Sequence, residues 1–283
     1  MHSQAPLSIQ AGGRLMDLSV PKVMGILNVT PDSFYSGSRM QSESGIAART
    51  EQMLAEGVDI IDIGACSSRP FADEVPAEEE MRRLRKGLSA VRRVAPDTVV
   101  SVDTYRADAA AMCVEEYGAD IINDISAGEA DGRMFDTVAR LNVPYVMMHM
   151  QGTPRDMQQA PHYDHLLMEV TAFFARRIDD LHERGVNDII LDPGFGFGKT
   201  MEHNYRLLAG MDELLRFGLP LLAGVSRKSM VYGLLGCTPD EALNGTTAAN
   251  MLALCKGASI LRVHDVKACT EAVKIFNMMK QQK

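Results

Sequence analysis

The segment Val99-Val-Ser-Val-Asp103 shows the pattern that decides the fold: a short β-branched apolar run that ends in a polar or charged residue. The chain repeats this pattern eight times, and most of the runs lead into a helical stretch. The runs cover residues 23–28, 59–65, 99–103, 120–124, 143–149, 189–192, 221–226 and 260–264. Eight parallel strands buried on both sides and alternating with helices predict an α/β protein with a single (β/α)8 barrel.

Polar residues collect where these predicted strands end. They are Asn28, Asp103, Asn123, Asp124, His149, Asp192, Lys228, Arg262 and His264. In barrels of this class the catalytic groups lie at the strand ends. So many amides, carboxylates and cations would pack poorly in an apolar core. We therefore interpret this face as an active site.

The length of 283 residues suits one barrel, which we assign to residues 23–283. Residues 1–22 contain the turn signal Gly12-Gly13 and predict an N-terminal arm or short hairpin that closes the bottom of the barrel. Helices are expected at 43–57, from Pro76 onward, and at 106–117, 132–141, 163–185, 204–217, 239–256 and 266–280. Polar loops over 29–42 and 66–75 follow the first two strands, so we expect them on the catalytic face as mobile lids.

Charge and cysteine content narrow the class of protein. A net charge of −8 argues against nucleic acid or an anionic membrane surface as the main partner. The five cysteines are odd in number and show no CxxC spacing, which fits a reducing compartment. We find neither the apolar core of a signal peptide nor a run of the ~18 apolar residues that a membrane span requires. These features predict a soluble cytoplasmic α/β protein whose main partner is neither nucleic acid nor a membrane.

The run Gly194-Phe-Gly-Phe-Gly-Lys-Thr200 resembles a phosphate-binding P-loop. That motif requires glycine five positions before the glycine of Gly-Lys-Thr, and this position is Pro193. We therefore expect the glycines to allow a tight turn and close approach to a flat ligand, with Phe197 available to stack on it.

Several motifs together resemble the dihydropteroate synthase family, from about residue 22 to the C-terminus. They are Met24-Gly-Ile-Leu-Asn-Val-Thr-Pro-Asp-Ser-Phe34, Asp103-Thr104, Ile122-Asn-Asp-Ile125, Asp192-Pro-Gly-Phe-Gly-Phe-Gly-Lys199, Ser226-Arg-Lys228 and Arg262-Val-His-Asp265. The resemblance implies a transferase of folate biosynthesis. Such an enzyme condenses 6-hydroxymethyl-7,8-dihydropterin pyrophosphate with p-aminobenzoate, with Mg2+, and yields 7,8-dihydropteroate and pyrophosphate.

For the pterin, the resemblance implies a slot at the ends of several strands. Its residues would be Asp103, Asn123, Ile125, Met148, Asp192, Phe197, Gly224 and Lys228. Asp192 would accept hydrogen bonds from the exocyclic amine and a ring nitrogen, and Lys228 would donate to a ring oxygen or nitrogen. Carboxylates in this slot recognise rather than attack. A structural role in capping a loop stays open for Asp103 and Asp192.

For the leaving group, the resemblance implies pyrophosphate contacts from Asn28, Ser68, Arg69, Arg262 and His264. Arg262 and His264 alternate along the last strand and share a face, so they could bring positive charge to departing pyrophosphate. Asn28 would contribute one oxygen to Mg2+. With Lys228, these residues form the expected catalytic set: Asn28, Lys228, Arg262 and His264. A structural ion pair between Arg262 and Asp265 or a neighbouring acid stays open, as does a turn-capping role for Asn28.

For p-aminobenzoate, the implied contacts are Phe34, Arg69, Pro70, Phe197, Lys228 and Ser229. Its carboxylate would lie near Ser229, at the start of the helix after the seventh strand. A plain N-cap role for Ser229 stays open. The family's sensitivity to sulfonamides would apply to this same site.

Two loops depart from the family pattern. The second reads Gly64-Ala-Cys-Ser-Ser-Arg-Pro-Phe71 where Gly-Gly-Glu-Ser-Thr-Arg-Pro-Gly is usual, and Tyr35-Ser-Gly37 replaces an Asp-Gly pair in the first. The departures bear on loop closure and sulfonamide affinity. Two alternatives stay open: a methyltetrahydrofolate-binding methyltransferase and a pterin-binding barrel without catalysis. We expect a homodimer.

Overall fold

The computed structural model describes residues 7–30, 42–66 and 75–282. It begins with an antiparallel hairpin of β1 (Ser8–Ala11) and β2 (Arg14–Asp17). Gly12 and Gly13 connect the two strands with φ angles of +61° and +69°. Two consecutive left-handed residues make the tight turn that glycine accommodates best, so the predicted N-terminal hairpin is present.

Eight parallel strands form the barrel. They are β3 (Lys22–Asn28), β4 (Ile60–Gly64), β5 (Val99–Asp103), β6 (Ile121–Asp124), β7 (Tyr145–Met148), β8 (Ile189–Asp192), β9 (Leu222–Ala223) and β10 (Ile260–Val263). Neighbours pair in chain order from β3 to β8, and β10 pairs with both β3 and β9. A parallel bridge between Leu191 and Leu221 joins the remaining two edges. The predicted (β/α)8 barrel is therefore confirmed.

Helices pack around the strands. The α-helices in the described residues are α1 (Glu43–Ala55), α2 (Ala77–Val94), α3 (Ala107–Tyr117), α4 (Met134–Leu141), α5 (Leu166–Glu183), α6 (Met201–Ala209), α7 (Ser229–Leu235), α8 (Leu243–Cys255) and α9 (Val266–Lys280). In the same part of the chain, no helix combines the length and the apolar content that a bilayer span demands.

The helix predicted over 204–217 was wrong in both its start and its continuity. A capping box between Thr200 and His203 starts α6 at Met201. The helix stops at Ala209, and a 3-10 helix (Met211–Phe217) follows Gly210. A Cβ atom at Gly210 would lie only 2.4 Å from the side chain of Leu167, so α5 packs closely at this break. Similarly, the predicted segment 239–256 begins with a separate 3-10 turn (Pro239–Glu241) before α8.

The core has two parts because side chains alternate along each strand. Residues that face outward, such as Ile61 and Ile63 of β4, pack with the helices in one large apolar cluster. Residues that face inward at the strand starts, such as Ile60, form a second cluster with Ile9 of the hairpin. The hairpin thus closes the bottom of the barrel, as predicted, and the inward-facing polar groups at the strand ends lie above this second cluster.

Candidate active site

Alternation divides the polar strand-end residues into two groups. Ile122 faces the helices, so Asn123 faces the barrel interior and Asp124 faces out again. Asp124 accepts hydrogen bonds from the Tyr145 hydroxyl at 2.6 Å and from the backbone of Ser126 at 2.7 Å. The interpretation of Asp124 as part of the active-site face was therefore wrong, because its carboxylate holds the loop after β6.

His149 also belongs to the supporting structure. Its ring packs edge-on against Phe173 of α5, with 5.0 Å between centroids. Burial and the nearby Lys199 ammonium lower the pKa of His149 to about 2. The ring is therefore neutral, and its Nδ1 lies 3.0 Å from Lys199 Nζ. The sequence-based placement of His149 in the site was wrong, because side chains alternate along the strand: Met148 faces the interior and the next residue, His149, faces the helices.

An arginine and two aspartates occupy the centre of the inward-facing group. Arg262 donates from Nε to Asp62 Oδ2 at 2.7 Å and from Nη2 to Asp103 Oδ2 at 2.6 Å. Burial raises the pKa of Asp103; the Arg262 guanidinium opposes this effect, and the Asp62 carboxylate adds to it. Asp103 is thus brought to the site as expected, and Arg262 joins it through an ion pair inside the barrel.

Arg262 does not pair with Asp265, which the sequence had left open as a partner. Asp265 is instead paired with Arg227, whose Nε and Nη2 donate to its two oxygens at 2.7 and 2.9 Å. Arg227 has a φ of +52° and turns away from the barrel axis to fasten the segment after β9. This reversal lets the neighbouring Lys228 point into the site.

Asp62 is the residue that sequence reasoning missed. Its side chain is fully buried, and Asp62 Oδ2 also accepts a 3.3 Å hydrogen bond from Asn123 Nδ2. The available signal was a charged residue in the middle of the run Ile60-Ile-Asp-Ile-Gly64, two positions before an inward-facing strand end. A lone charge in such an apolar strand requires an interior partner.

Asp192 and Lys228 are two further charged residues of the site, and each influences the pKa of the other. Asp192 Oδ1 accepts a 2.8 Å hydrogen bond from the Gly194 backbone, and Lys228 Nζ donates to the carbonyl oxygen of Phe195. Burial raises the pKa of Asp192, with Lys228 opposing it. Burial also lowers the pKa of Lys228 to about 8, against the attraction of Asp192. Both predicted residues therefore lie in one poorly solvated place.

The loop after β8 is held by a buried lysine. Lys199 Nζ donates to the carbonyl oxygens of Gly194 and Phe197 at 3.0 Å and to that of His149 at 3.2 Å. Gly194 has a φ of +72°, and a Cβ atom there would lie 1.9 Å from the His149 carbonyl oxygen. Lys199 donates to the carbonyl oxygens of its own loop. This arrangement agrees with the rejection of the P-loop interpretation.

A small apolar cluster faces these polar groups. It contains the predicted pterin contacts Ile125, Met148 and Phe197, together with Met157, and Tyr105 packs against it. Lys228 Nζ lies 4.6 Å from the centroid of the Phe197 ring. An apolar wall opposite carboxylate, amide and ammonium groups is the arrangement that a flat heterocycle with polar edges requires.

Gly224 lies next to this cation. A Cβ atom there would be 3.7 Å from Lys228 Nζ and 4.0 Å from Arg262 Cβ. The predicted contact Gly224 therefore lies between two of the charged residues of the site, where a methyl group would be in ordinary van der Waals contact with both.

His264 and Asn28 lie at the rim. Ser226 Oγ is 3.0 Å from His264 Nδ1. Burial, and then the positive charge of Arg262, lower the pKa of His264 to about 3. The histidine is therefore neutral near pH 7 and offers a hydrogen bond rather than the positive charge that we expected. A Cβ atom at Gly64 would lie 3.3 Å from Asn28 Oδ1 and 3.7 Å from Asp103 Oδ2, so these two side chains flank Gly64.

Ser229 is the exposed first residue of α7, and the N-cap position is Lys228. The alternative in which Ser229 is a plain N-cap is therefore wrong. The predicted position of Ser229 at the helix start, next to Lys228, is as expected.

Comparison with known proteins agrees with this geometry. The model of the pterin binding enzyme family matches residues 24–264. Dihydropteroate synthase of Haemophilus influenzae is 41% identical over 272 residues, which cover 95% of this chain and 98% of that protein. The chain belongs to the dihydropteroate synthase family.

Solved structures of this family show the same fold. Yersinia pestis dihydropteroate synthase with a sulfonamide drug complex superposes with a TM-score of 0.92 at 41% identity, over 98% of this chain and all of that one. Xanthomonas albilineans dihydropteroate synthase with 4-aminobenzoic acid gives a TM-score of 0.89 at 38% identity, over 98% of this chain and 99% of the other.

Four residues implied by the resemblance to dihydropteroate synthases lie outside the described residues: Phe34, Ser68, Arg69 and Pro70. Most of the two expected lids, including Ser36 and Phe71, lies outside them as well. Cys66, which departs from the usual dihydropteroate synthase loop, is described. Burial raises the pKa of its thiol to about 12, and its sulfur is 4.0 Å from Arg106 Nη1. The thiol is therefore protonated and packed rather than reactive.

The donor set fits a phosphate-bound magnesium ion better than a metal held by the protein alone. Over residues 7–30, 42–66 and 75–282, no three His, Cys, Asp or Glu side chains are grouped to hold a metal ion. Asn28 instead offers a neutral oxygen at the rim. Mg2+ binds commonly through one or two protein oxygens together with waters and substrate phosphates.

Proposed function

We propose that this chain condenses 6-hydroxymethyl-7,8-dihydropterin pyrophosphate with p-aminobenzoate to give 7,8-dihydropteroate and pyrophosphate. One observation carries the proposal: Asp103, Asn123, Asp192 and Lys228 meet inside the barrel, opposite the apolar cluster of Ile125, Met148 and Phe197. A dihydropterin has alternating hydrogen-bond donors and acceptors along a flat ring. The site supplies acceptors, a donor and an apolar wall in one buried place.

Asp192 binds hydrogen-bond donors of the ring, and Lys228 binds an acceptor. The Asp192 carboxylate accepts from the exocyclic amine and a ring nitrogen, while Lys228 donates to an acceptor of the ring. The lowered pKa of Lys228, about 8, leaves the ammonium mostly protonated at neutral pH. Asp192 is buried and Lys228 is half-buried, so less solvent must reorganise when they form charge-assisted hydrogen bonds.

Departure of pyrophosphate needs groups that stabilise growing negative charge. Arg262 brings a fixed positive charge, and neutral His264 brings a hydrogen-bond donor. The His264 backbone N–H already donates to Ser226 Oγ at 3.2 Å, so the serine hydroxyl can donate to Nδ1 and leave the ring hydrogen on Nε2. Asn28 would hold Mg2+ together with pyrophosphate oxygens, and the bound ion would supply charge neutralisation of the leaving group.

The chemistry that suits these residues is dissociative. The C–O bond to pyrophosphate breaks first, and the aniline nitrogen of p-aminobenzoate then attacks the cationic methylene and loses a proton. The described groups around the ring recognise it: Asp103 is bound to Arg262, and the Ser226 hydroxyl is buried and bound to His264 at the rim. Ser229 and Lys228 at the start of α7 would receive the p-aminobenzoate carboxylate.

Pyrophosphate release tests this function directly. We expect equal amounts of pyrophosphate and dihydropteroate when the dihydropterin pyrophosphate, p-aminobenzoate and Mg2+ are all present, and no dihydropteroate when one of them is left out. Tight pterin binding without release would instead support a non-catalytic pterin-binding barrel. Methyl transfer from methyltetrahydrofolate would support the methyltransferase, and absence of pterin binding would contradict the whole assignment.

We also propose that the protein acts as a homodimer in the cytoplasm. Large apolar side chains are exposed on three helices that pack side by side: Leu235 of α7 (56% exposed), Leu252 of α8 (54%) and Ile275 of α9 (65%). Exposed apolar side chains on adjacent helices suit contact with a second copy of the chain. Light scattering should give twice the chain mass, and Leu252→Asp should halve it. The five free cysteines fit a reducing compartment.

A further inference from the structure

We propose that Asp62 is a positioning residue of the pterin slot, which orients the amide of Asn123 and anchors Arg262 from below. This inference rests on the proposed function and concerns how the same site recognises the ring. It is carried by two hydrogen bonds to a single oxygen of one buried carboxylate.

The first step is the location of Asp62. It lies in register with Ile26 of β3 and Ser101 of β5, in the middle of the barrel wall. Its neighbours Ile61 and Ile63 pack with the helices, so the Asp62 side chain points to the barrel axis, where it is fully buried. A carboxylate at this depth is costly unless charged or polar partners compensate for its lost hydration.

The second step is the orientation of Asn123. Its Nδ2 donates to Asp62 Oδ2 at 3.3 Å. The same Asp62 oxygen accepts from Arg262 Nε at 2.7 Å, so this oxygen is the acceptor in both contacts. If the Asn123 amide rotated by half a turn, two oxygen atoms would face each other. Asp62 therefore directs the Asn123 oxygen away from itself, as an acceptor for the N–H groups of the pterin.

The third step concerns Arg262, which is shared between two carboxylates. Its Nη2 bonds to Asp103, a residue that the proposed function gives to the pterin. When the ring engages Asp103, the guanidinium keeps the bond from Nε to Asp62 and stays aimed at the leaving group. Without Asp62, Arg262 would depend on Asp103 alone and would compete with the pterin for it.

The test is calorimetric titration of 7,8-dihydropterin, which lacks the pyrophosphate, into folded wild type and Asp62 variants. Asp62→Leu removes the acceptor and keeps the branched shape of the side chain, and Asp62→Asn keeps an oxygen that both partners can reach. We expect Asp62→Leu to weaken binding at least tenfold. Asp62→Asn should restore binding to within about threefold of wild type, and a purely structural loss would not follow this order.

A matched control comes from β6, two strands away from β4 in the barrel. Asp124 is also fully buried and hydrogen-bonded, but it faces the helices. Asp124→Asn should lower the melting temperature and leave dihydropterin binding unchanged. If Asp62→Leu does not fold, Asp62→Ser replaces it, because the short hydroxyl reaches neither partner and the change in volume is small.

The outcomes separate the two proposals. If wild type does not bind dihydropterin, the proposed function fails whatever Asp62 does. If wild type binds it and folded Asp62→Leu or Asp62→Ser binds within threefold, the role of Asp62 is wrong and the proposed function stands. Equal losses in Asp62→Leu and Asp62→Asn would also overturn it, since the retained oxygen would then have no effect.

Discussion

The two ends of the barrel interior are built from the same strands and have opposite chemistry. At the bottom, β8 contributes Ile190 to an apolar cluster that the hairpin covers with Ile9 and Leu18. At the top, two residues further along the same face of β8, it contributes Asp192. The difference shows that one alternating pattern serves stability at the start of each strand and recognition at its end.

The energetic consequences of the two ends also differ. Apolar side chains buried at the bottom gain about 25 cal/mol per Å2 of surface removed from water. At the top, burial disfavours the charged forms, which raises the pKa of Asp192 and lowers that of Lys228 to about 8. Burial of apolar side chains at the bottom therefore stabilises the fold, and burial of charged groups at the top lowers the free energy of unfolding.

Replacement of Lys199 should have the largest effect on the upper end of the barrel, because this buried lysine holds the loop after β8. We expect Lys199→Met to lower the free energy of unfolding by about 3–5 kcal/mol, since several buried acceptors lose their donor. It should also lower kcat/KM more than 100-fold through displacement of the loop after β8. Urea unfolding and steady-state assays measure both effects.

The matched control is Lys256, which pairs with Asp212 on the surface at 3.2 Å. Lys256→Met should change the unfolding free energy by less than about 1 kcal/mol. A Lys199→Met protein with the stability and activity of wild type would show that the carbonyl contacts do not hold the loop.

Ile190→Ala tests whether the lower apolar cluster contributes to stability without contributing to catalysis. The side chain is fully buried in the lower cluster. Truncation there should cost about 2–5 kcal/mol of unfolding free energy, as is usual for a large-to-small change in a core. Well below its unfolding transition, the variant should keep kcat/KM within threefold of wild type. A selective loss of kcat/KM in a fully folded sample would contradict the separation of the two ends.

The smallest effect is a pH dependence. Burial lowers the pKa of Lys228 to about 8, so its ammonium is present below this pH and lost above it. The value of kcat/KM for the pterin substrate should fall about tenfold per pH unit above pH 8. Lys228→Arg should be less active at neutral pH and lack this decline. A flat wild-type profile up to pH 10 would remove Lys228 from pterin recognition.

The sequence was sufficient for the barrel because each strand carries its own signal, a short β-branched run with a polar end. It also identified Asp103, Asn123, Asp192, Lys228 and Arg262 as neighbours, since parallel strand ends meet at one rim. It misplaced Asp124 and His149 because a one-residue shift along a strand reverses the side chain. Asp62 was missed because its role depends on two distant strands, which bring Asn123 and Arg262 to it.

The most direct test of the division between the two ends is the Asp192→Asn variant, measured for stability and turnover on the same sample. Asparagine keeps an oxygen for the Gly194 N–H and loses the negative charge. Two charge-assisted hydrogen bonds to the ring are each worth about 1.5–3 kcal/mol. We therefore predict a loss in kcat/KM of about 100-fold or more, with an unfolding free energy equal to or above that of wild type. A folded variant with turnover within threefold of wild type would contradict the assignment of the pterin slot.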